Sequence, residues 1–218
     1  MKKLVVLTGA GISAESGIKT FRDSGGLWEQ YPVEEVASID GWHRNPGLVQ
    51  RFYNERRRQL EKAEPNAGHK GLVALEKDYE VHIITQNVDD LHERAGSKKI
   101  LHLHGLLTQA RSSKNSAGII DIGYRDILPE EKASDGSPLR PNIVWFGEAV
   151  PAMEEAADIA SYADIFAVIG SSLNVYPAAG LIHYVAMTTP VFIIDPKPVA
   201  VYTNHKVKLF MTLSTPAR

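Results

Sequence analysis

Three short stretches carry residue types that could do chemistry together. His104 stands in Leu101-His102-Leu103-His104-Gly105. Upstream lies Thr85-Gln86-Asn87-Val88-Asp89-Asp90-Leu91-His92, and the N-terminal apolar run opens into Thr8-Gly9-Ala10-Gly11-Ile12-Ser13-Ala14-Glu15-Ser16-Gly17-Ile18. Gly9-Ala10-Gly11 lets backbone approach a pyrophosphate. A helix opening at residues 13–17 adds unpaired N–H groups and a positive dipole end. The glycine spacing departs from GxGxxG. A strand–turn–helix corner that needs glycine for its own backbone is therefore the competing explanation, with Ser13 or Ser16 as a plain helix cap.

Asn87 and Asp89 are two apart just after a strand, so an extended chain points both to one face. The alternative is an Asx-type turn that satisfies its own backbone. His104, with an ordinary pKa of ~6.5, suits a general base near neutrality. A structural histidine is the alternative, and His102 competes for the role. Gly105 favours His104 by leaving room for a ligand. A phosphate-cradling turn, an amide–carboxylate pair and a titratable base together suggest a dinucleotide site that does chemistry.

Two further groups stand apart from these. Tyr53 and Arg56 are three residues apart on an expected helix, hence on one face, and an arginine beside a phenol makes a carboxylate clamp. Arg57 and Arg58 follow, so a solvated basic face is the competing explanation. Asn142-Ile143-Val144-Trp145-Phe146-Gly147-Glu148 reads either as an edge strand that pairs with a peptide or as a core strand with a buried Trp.

These residues need a scaffold. Continuous apolar runs predict buried strands at 4–7, 81–85, 100–103, 165–169 and 191–194. Helical spacing predicts helices at 45–62, 69–77 and 153–162. The alternation predicts an α/β fold, a Rossmann-like, doubly wound parallel sheet, as a single domain over 1–218. It carries a helical insertion at about 23–80 and a small lobe at about 108–141. Polar residues follow four strand ends, at Gly9, Gln86, Gly170 and Asp195. Open α/β sheets bind ligands at that rim.

Net charge is −2, so no broad nucleic-acid surface is implied. There is no cysteine, which removes disulfides, thiolate metal sites and cysteine nucleophiles. The eight histidines form no tight i, i+4 pair with an acidic partner, so no metal site is expected. The apolar run after Met1-Lys2-Lys3 is shorter than the ~7–15 residues of a signal core. No stretch approaches the ~20 apolar residues of a membrane span. A cytoplasmic protein, acting as a monomer without membrane or nucleic-acid partners, is expected.

As a set, these motifs resemble the sirtuins, NAD-dependent protein-lysine deacylases. The likeness covers nearly the whole chain: the glycine-rich opening with Thr20-Phe21-Arg22, then Gln86-Asn87-Val88-Asp89, His104-Gly105, Val144-Trp145-Phe146-Gly147-Glu148 and Gly170-Ser171-Ser172. The resemblance implies roles. Gly9, Ala10, Gly11 and the helix start, Ser13 and Glu15 included, would hold the NAD pyrophosphate region. Phe21 and Arg22 would close over the nicotinamide ribose side, Trp28 would also contact the coenzyme, and Gln86 would hold that ribose. Asn87, Val88 and Asp89, with Ile12, would form the nicotinamide pocket. Gly170, Ser171, Ser172, Asp195, Lys197 and Ala217 would line the adenosine side. His104 would be the base, with Asn87 beside it as a catalytic residue. Val144, Phe146 and Gly147 on one side and Asn174 and Val175 on the other would sandwich the substrate backbone. The implied reaction consumes NAD: the acyl-lysine oxygen attacks C1′, nicotinamide leaves, and the products are free lysine and O-acyl-ADP-ribose. Tyr53 and Arg56 look like the acyl-selecting pair of the desuccinylase and demalonylase subgroup (class III), with Ala37 as the small residue that widens the acyl pocket.

The chain departs from the family in three places. Most sirtuins carry a zinc ribbon on two cysteine pairs; here Arg111-Ser112-Ser113 and Ala133-Ser134-Asp135-Gly136 stand where cysteines are expected. No zinc is expected, and the lobe is expected to be held by packing alone and to be mobile. Asp195 stands where many relatives have Asn; a carboxylate there would favour NAD over NADP. The chain stops at Thr215-Pro216-Ala217-Arg218, where the family usually continues into a terminal helix. Two other readings stand beside deacylation: protein mono-ADP-ribosylation, and a non-catalytic module that binds NAD or ADP-ribose.

Overall fold

The computed structural model describes residues 1–18, 31–115, 118–201 and 203–211. Its main sheet has six parallel strands in the order β3-β2-β1-β7-β8-β9. They are β1 (Lys2–Thr8), β2 (Tyr79–Thr85), β3 (Ile100–His102), β7 (Ile165–Ile169), β8 (Val191–Ile194) and β9 (Val207–Phe210). A three-stranded antiparallel sheet sits between β3 and β7 in the chain: β4 (Gly105–Ser112), β5 (Ile120–Asp121) and β6 (Leu139–Ile143), in the order β5-β4-β6. The fold is thus the expected Rossmann-like α/β architecture with a small added lobe.

Strand alternation builds two cores. Val5 and Leu7 face one way, where Ile84, Phe166, Val168, Val191 and Ile193 join them beneath the helix Met153–Ser161. Leu4 and Val6 face the other way, against Ile12, Leu72, Val81 and Ile83. Burying such a Val or Leu contributes about 1.5–3 kcal/mol each, which fixes the register of β1 and therefore the place where its glycine turn begins.

Helix starts follow their caps. Asn45 Oδ1 accepts the Leu48 N–H at 3.0 Å and Pro46 occupies the first helical position, opening the helix Pro46–Lys62. Its inner face buries Val49, Phe52, Tyr53 and Leu60 against Trp42, Leu107 and Trp145. Asn66 caps the helix Ala67–Leu75, two residues ahead of the expected start. The segment expected to open a helix at 13–17 is instead a 3₁₀ turn over Ala10–Ser16, closed by Gly17 at φ 85°.

The lobe corrects one expectation. Packing alone does not hold it. Ala110, Ile122, Ile127 and Leu139 form a small core, and a hydrogen-bonded knot stands beside it. Ser112 Oγ donates to Asp135 Oδ2 at 2.6 Å and sits 2.7 Å from Ser137 Oγ. It also accepts the N–H groups of Lys114 and Asn115, both at 3.0 Å. Ser137 gives both its hydroxyl and its N–H to Asp135 Oδ1, at 2.6 and 3.0 Å. Hydroxyl and carboxylate thus tie the end of β4 to the loop at 135–137. Removing a buried acceptor leaves its donors unpaired, so Ser112→Ala is expected to cost about 1–3 kcal/mol. A urea unfolding midpoint reads this loss, and a strong chelator is expected to leave the wild-type midpoint where it is.

Among the described residues, no group of three or more His, Cys, Asp or Glu could hold a metal ion. No described helix is long and apolar enough to cross a membrane.

Candidate active site

The chain runs from β1 to β2 and β3 on one side of the sheet, then returns to β7 on the other side of β1. That reversal opens a crevice at the carboxyl ends of β1 and β7. Two glycine turns meet there. The Gly9 N–H bonds Ile169 O at 3.0 Å and the Gly11 N–H bonds Gly170 O at 2.8 Å. A Cβ on Gly9 would lie 2.7 Å from Gly170 O, and one on Gly11 would lie 2.7 Å from Gly170 Cα. Gly170 has φ +62°, the left-handed region that favours glycine. These glycines are thus required for backbone to meet backbone. Two N–H groups offered to a pyrophosphate are already paired, Gly11 to Gly170 O and Ile12 to Gly9 O. The Ala10 N–H precedes the first helical bond of the turn.

Beneath this crevice the predicted amide–carboxylate pair converges on Ser13. Asn87 Nδ2 donates to Ser13 Oγ at 3.1 Å and to Gly9 O at 3.2 Å. Ser13 Oγ donates to Asp89 Oδ2 at 2.9 Å, and Asp89 Oδ1 accepts the Leu91 N–H at 3.2 Å. All three side chains are buried. Burial pushes the Asp89 carboxyl up, against the bonds from Leu91 and Ser13. Val88, between them, is half-buried, and its carbonyl accepts the Leu107 N–H at 2.8 Å.

Sequence reasoning missed the support under this pocket. His69 Nδ1 accepts the Asn66 N–H at 3.3 Å, which places the ring proton on Nε2, 3.4 Å from Ser13 Oγ. Asn66 also donates to Ile12 O and Ser16 Oγ, fastening the 3₁₀ turn. His92 Nε2 lies 3.1 Å from Thr8 Oγ1, and the His69 and His92 rings meet edge to face at 4.9 Å. The one local signal was Asn66 three residues before His69, a capping arrangement; full burial of either histidine is set by distant chain.

Burial pushes His69 down to about 4 and His92 down to about 3. Both are neutral when folded, whereas an unfolded imidazole titrates at ~6.5. The unfolded chain therefore binds more protons between those values. Their contribution is complete above pH ~6.5 and is lost as pH falls toward about 4 and then 3. Acid unfolding is expected to begin on the order of 2 pH units below neutrality, and His92→Gln is expected to flatten the fall in melting temperature across pH 7 to 4.

His104 and His102 are distinguished by their second nitrogen. His104 Nδ1 lies 2.9 Å from Gln86 O, a carbonyl that can only accept, so Nδ1 carries the proton and Nε2 is the free base. No described residue bonds Nε2. Burial pushes its pKa down, opposed by the Gln86 carbonyl. His102 Nδ1 lies 3.2 Å from Asn87 O, but its Nε2 is taken by Glu93 at 2.7 Å. Gly105 is explained differently from the sequence reading: at φ +79° its missing Cβ would overlap Asn142 O at 1.9 Å. It is required by the close crossing of β4 and β6.

Gln86 turns its amide to Ser171 Oγ at 2.9 Å, joining the β2 and β7 rims. Ser172 is half-buried beside it. Asp195 follows β8, and its Oδ1 accepts the Lys197 N–H at 2.8 Å. Glu15 is exposed on the 3₁₀ turn. Phe21, Arg22, Trp28 and Ala217 lie outside the described residues.

Tyr53 and Arg56 share one face of Pro46–Lys62, as the spacing predicted. Tyr53 is 3% exposed and its Oη accepts the Trp145 Nε1–H at 2.9 Å. Burial pushes the phenol up to about 12 despite the Arg56 guanidinium nearby, so it remains a protonated donor. Arg56 is half-buried, with its guanidinium carbon 5.8 Å from the Phe52 ring centroid. Burial pushes its pKa down, while Tyr53 and Asp89 hold it up. Arg57 and Arg58 do not share this environment. Arg57 is buried on backbone carbonyls of Leu107 and Arg125, and Arg58 pairs with Asp126 at 2.6 Å on the surface.

The expected peptide strand is only partly an edge. Phe146 gives its N–H to Ala37 O at 2.9 Å, and its carbonyl accepts the Ile39 N–H at 3.0 Å. The Val144 N–H bonds His104 O at 3.0 Å. Ala37 is thereby fixed beside the segment, buried at 5% exposure. Phe146 (52% exposed) and Gly147 face outward, as do Asn174 and Val175 beyond the β7 turn.

A parallel α/β sheet with two glycine turns meeting at its switch point, a buried amide–carboxylate pair and a histidine whose Nδ1 is held by a carbonyl has the form of a ligand-binding α/β protein. The chain belongs to the Sir2 family, whose sequence profile matches residues 9–177. It is 57% identical over 214 residues to a Bacteroides thetaiotaomicron protein named NAD-dependent protein deacylase, covering 95% of this chain and 91% of that one. A Helicobacter pylori protein of the same name is 55% identical over 197 residues, covering 90% and 86%. Among solved structures, a Sir2 homologue–NAD complex superposes with a TM-score of 0.86 at 39% identity, covering 95% of this chain and 83% of that one.

Proposed function

We propose that this chain is an NAD-dependent protein-lysine deacylase that prefers acyl groups ending in a carboxylate, succinyl and malonyl over acetyl. The relatives' names support the first half. The observation that carries the chemistry is His104, whose Nδ1 is held as a donor by Gln86 O at 2.9 Å so that Nε2 is the unprotonated nitrogen.

The residues suit NAD. Asp89 and Asn87 present a buried acceptor and an amide matched to a carboxamide. The glycines after β1 and β7 let the two turns pack backbone to backbone at the head of the crevice. Bound NAD supplies an electrophilic C1′ for the acyl oxygen, with nicotinamide as leaving group and O-acyl-ADP-ribose as the acyl acceptor product. Asn87, Asp89 and Ser13 orient the carboxamide, and Gln86 reaches the ribose side from the β2 rim. His104 Nε2 takes the proton from a ribose hydroxyl as general base. Substrate backbone would be held by strand addition at the Val144 carbonyl and at Gly147; the Phe146 N–H and carbonyl are already bonded to Ala37 and Ile39, so Phe146 would contribute its exposed ring. Burial would keep bulk water from C1′ until the acyl oxygen has reacted; one water molecule must then be admitted, because free lysine, nicotinamide and O-acyl-ADP-ribose together contain its atoms.

Acyl selectivity rests on Tyr53 and Arg56. The Tyr53 hydroxyl hydrogen has no acceptor among the described residues, although the side chain is buried. A substrate carboxylate would accept it and meet the half-buried guanidinium, whereas an acetyl group would do neither. Kinetics on succinyl- and acetyl-lysine peptides of one sequence, with NAD, test the proposal. A higher kcat/KM on the succinyl peptide is expected, and an acetyl preference would refute the selectivity.

A further inference from the structure

Trp145 has one polar atom, and it can only donate. That atom, Nε1, gives its hydrogen to Tyr53 Oη at 2.9 Å, with Trp145 at 2% and Tyr53 at 3% exposure. The phenol oxygen therefore accepts on the indole side, and its own hydrogen must leave in another direction. Accepting one bond strengthens the bond a hydroxyl donates.

The indole is itself held from several sides. The Arg140 guanidinium carbon lies 3.4 Å from its ring centroid, and Trp42 packs at 5.3 Å. The Trp145 N–H donates to Glu148 Oε2 at 2.9 Å. Arg140 reaches Glu148 through Nη1 at 2.8 Å and Nη2 at 2.9 Å, and Arg111 Nη2 reaches it at 3.3 Å. These two arginines hold the Glu148 carboxyl below its ordinary range against the effect of burial. The ring cannot turn without disturbing this ion cluster.

We infer that Trp145 is a positioning residue for acyl selectivity: by occupying one side of the Tyr53 oxygen, it directs the phenol hydrogen toward the anionic end of the acyl group. This rests on the acidic-acyl reading above. Trp145 lies between the peptide-facing residues Val144 and Phe146, yet its side chain serves the acyl end of the substrate.

The test is a double-mutant cycle read as the ratio of kcat/KM on succinyl- and acetyl-lysine peptides of one sequence. Trp145→Phe is expected to lower that ratio about three- to tenfold, chiefly through KM for the succinyl peptide. In the Tyr53→Phe background it is expected to change the ratio no further. An unchanged ratio in Trp145→Phe overturns the inference, as does an equal drop in the Tyr53→Phe background. A wild-type enzyme without succinyl preference defeats the acidic-acyl reading and this inference together; a wild-type preference that Trp145→Phe leaves intact defeats the inference alone. Should Trp145→Phe not fold, the wild-type Trp145 indole ¹⁵N–H resonance, identified by its displacement in Tyr53→Phe, gives the same answer. It is expected to move with saturating succinyl-lysine peptide and not with the acetyl peptide, and an equal response to both overturns the inference.

Discussion

Replacing Arg56 with Met is expected to reverse the order of substrates. Methionine keeps much of the side chain's length and packing but removes the charge. The guanidinium is half-buried, and Tyr53 beside it is fully so. A charge-assisted hydrogen bond in such surroundings contributes about 1.5–3 kcal/mol. The loss on a succinyl peptide is therefore about tenfold to a hundredfold in kcat/KM. An acetyl peptide never meets the charge, and removing it relieves a desolvated cation, so deacetylation is expected to hold or rise. Tyr53→Phe is milder, because it removes one neutral donor and keeps the ring against Phe52 and Trp145. Paired kinetics on the two peptides read both variants; a succinyl preference that survives Arg56→Met would contradict the assignment.

Replacing His104 with Ala is expected to lower kcat by about 10²–10⁴-fold while NAD affinity stays close to wild type. The ring touches the site through Nε2 alone, since Nδ1 is committed to Gln86 O. In the function proposed above, coenzyme contacts would fall instead on the turns after β1 and β7 and on the hydrogen-bonded Asn87–Ser13–Asp89 set. Burial lowers the His104 pKa, so the base is unprotonated at neutral pH. Activity is expected to fall on the acid side only below the ordinary imidazole range of ~6.5. Calorimetry for NAD, alongside turnover, separates the two effects. Parallel loss of binding and rate would assign His104 to the scaffold, and substantial residual turnover would support the non-catalytic reading of that histidine.

The site was legible where chemistry and chain direction coincide. Continuous apolar runs ending in Gly9, Gln86, Gly170 and Asp195 marked β1, β2, β7 and β8, and the structure joins all four ends at one rim. Asn87 and Asp89 did share a face, and the Asx-turn alternative holds as well at Asp89, whose Oδ1 accepts the N–H of Leu91 two residues on; Tyr53 and Arg56 did share a helix face. β9 was missed because Val207–Phe210 is an outer strand with Lys208, Leu209 and Phe210 exposed, so its pattern lacks a buried run. β4 was missed for a related reason: Gly105–Ser112 mixes half-buried polar residues with a bulge between Leu106 and Ala110.

What stayed hidden depends on contacts across the chain. Ser13 and His69 are 56 residues apart, and Thr8 and His92 are 84 apart. No local pattern announces that their rings and hydroxyls will be buried together. The serine–aspartate knot was read only as missing cysteines, because a hydrogen-bonded substitute has no spacing rule comparable to a metal site. The Trp145–Tyr53 bond spans 92 residues and hides in the same way. Conversely, Gly105 was read as room for a ligand, and Gly11 as either pyrophosphate approach or a turn needing glycine for its own backbone; at both, the missing Cβ accommodates neighbouring backbone.

The most direct test of this account is mass spectrometry of a succinyl-lysine peptide incubated with NAD and the purified chain. Free lysine peptide, nicotinamide and O-succinyl-ADP-ribose are expected in equal amounts, with none formed by the His104→Ala variant above trace. A peptide that keeps its acyl group while gaining ADP-ribose, or no NAD-dependent change at all, would contradict it.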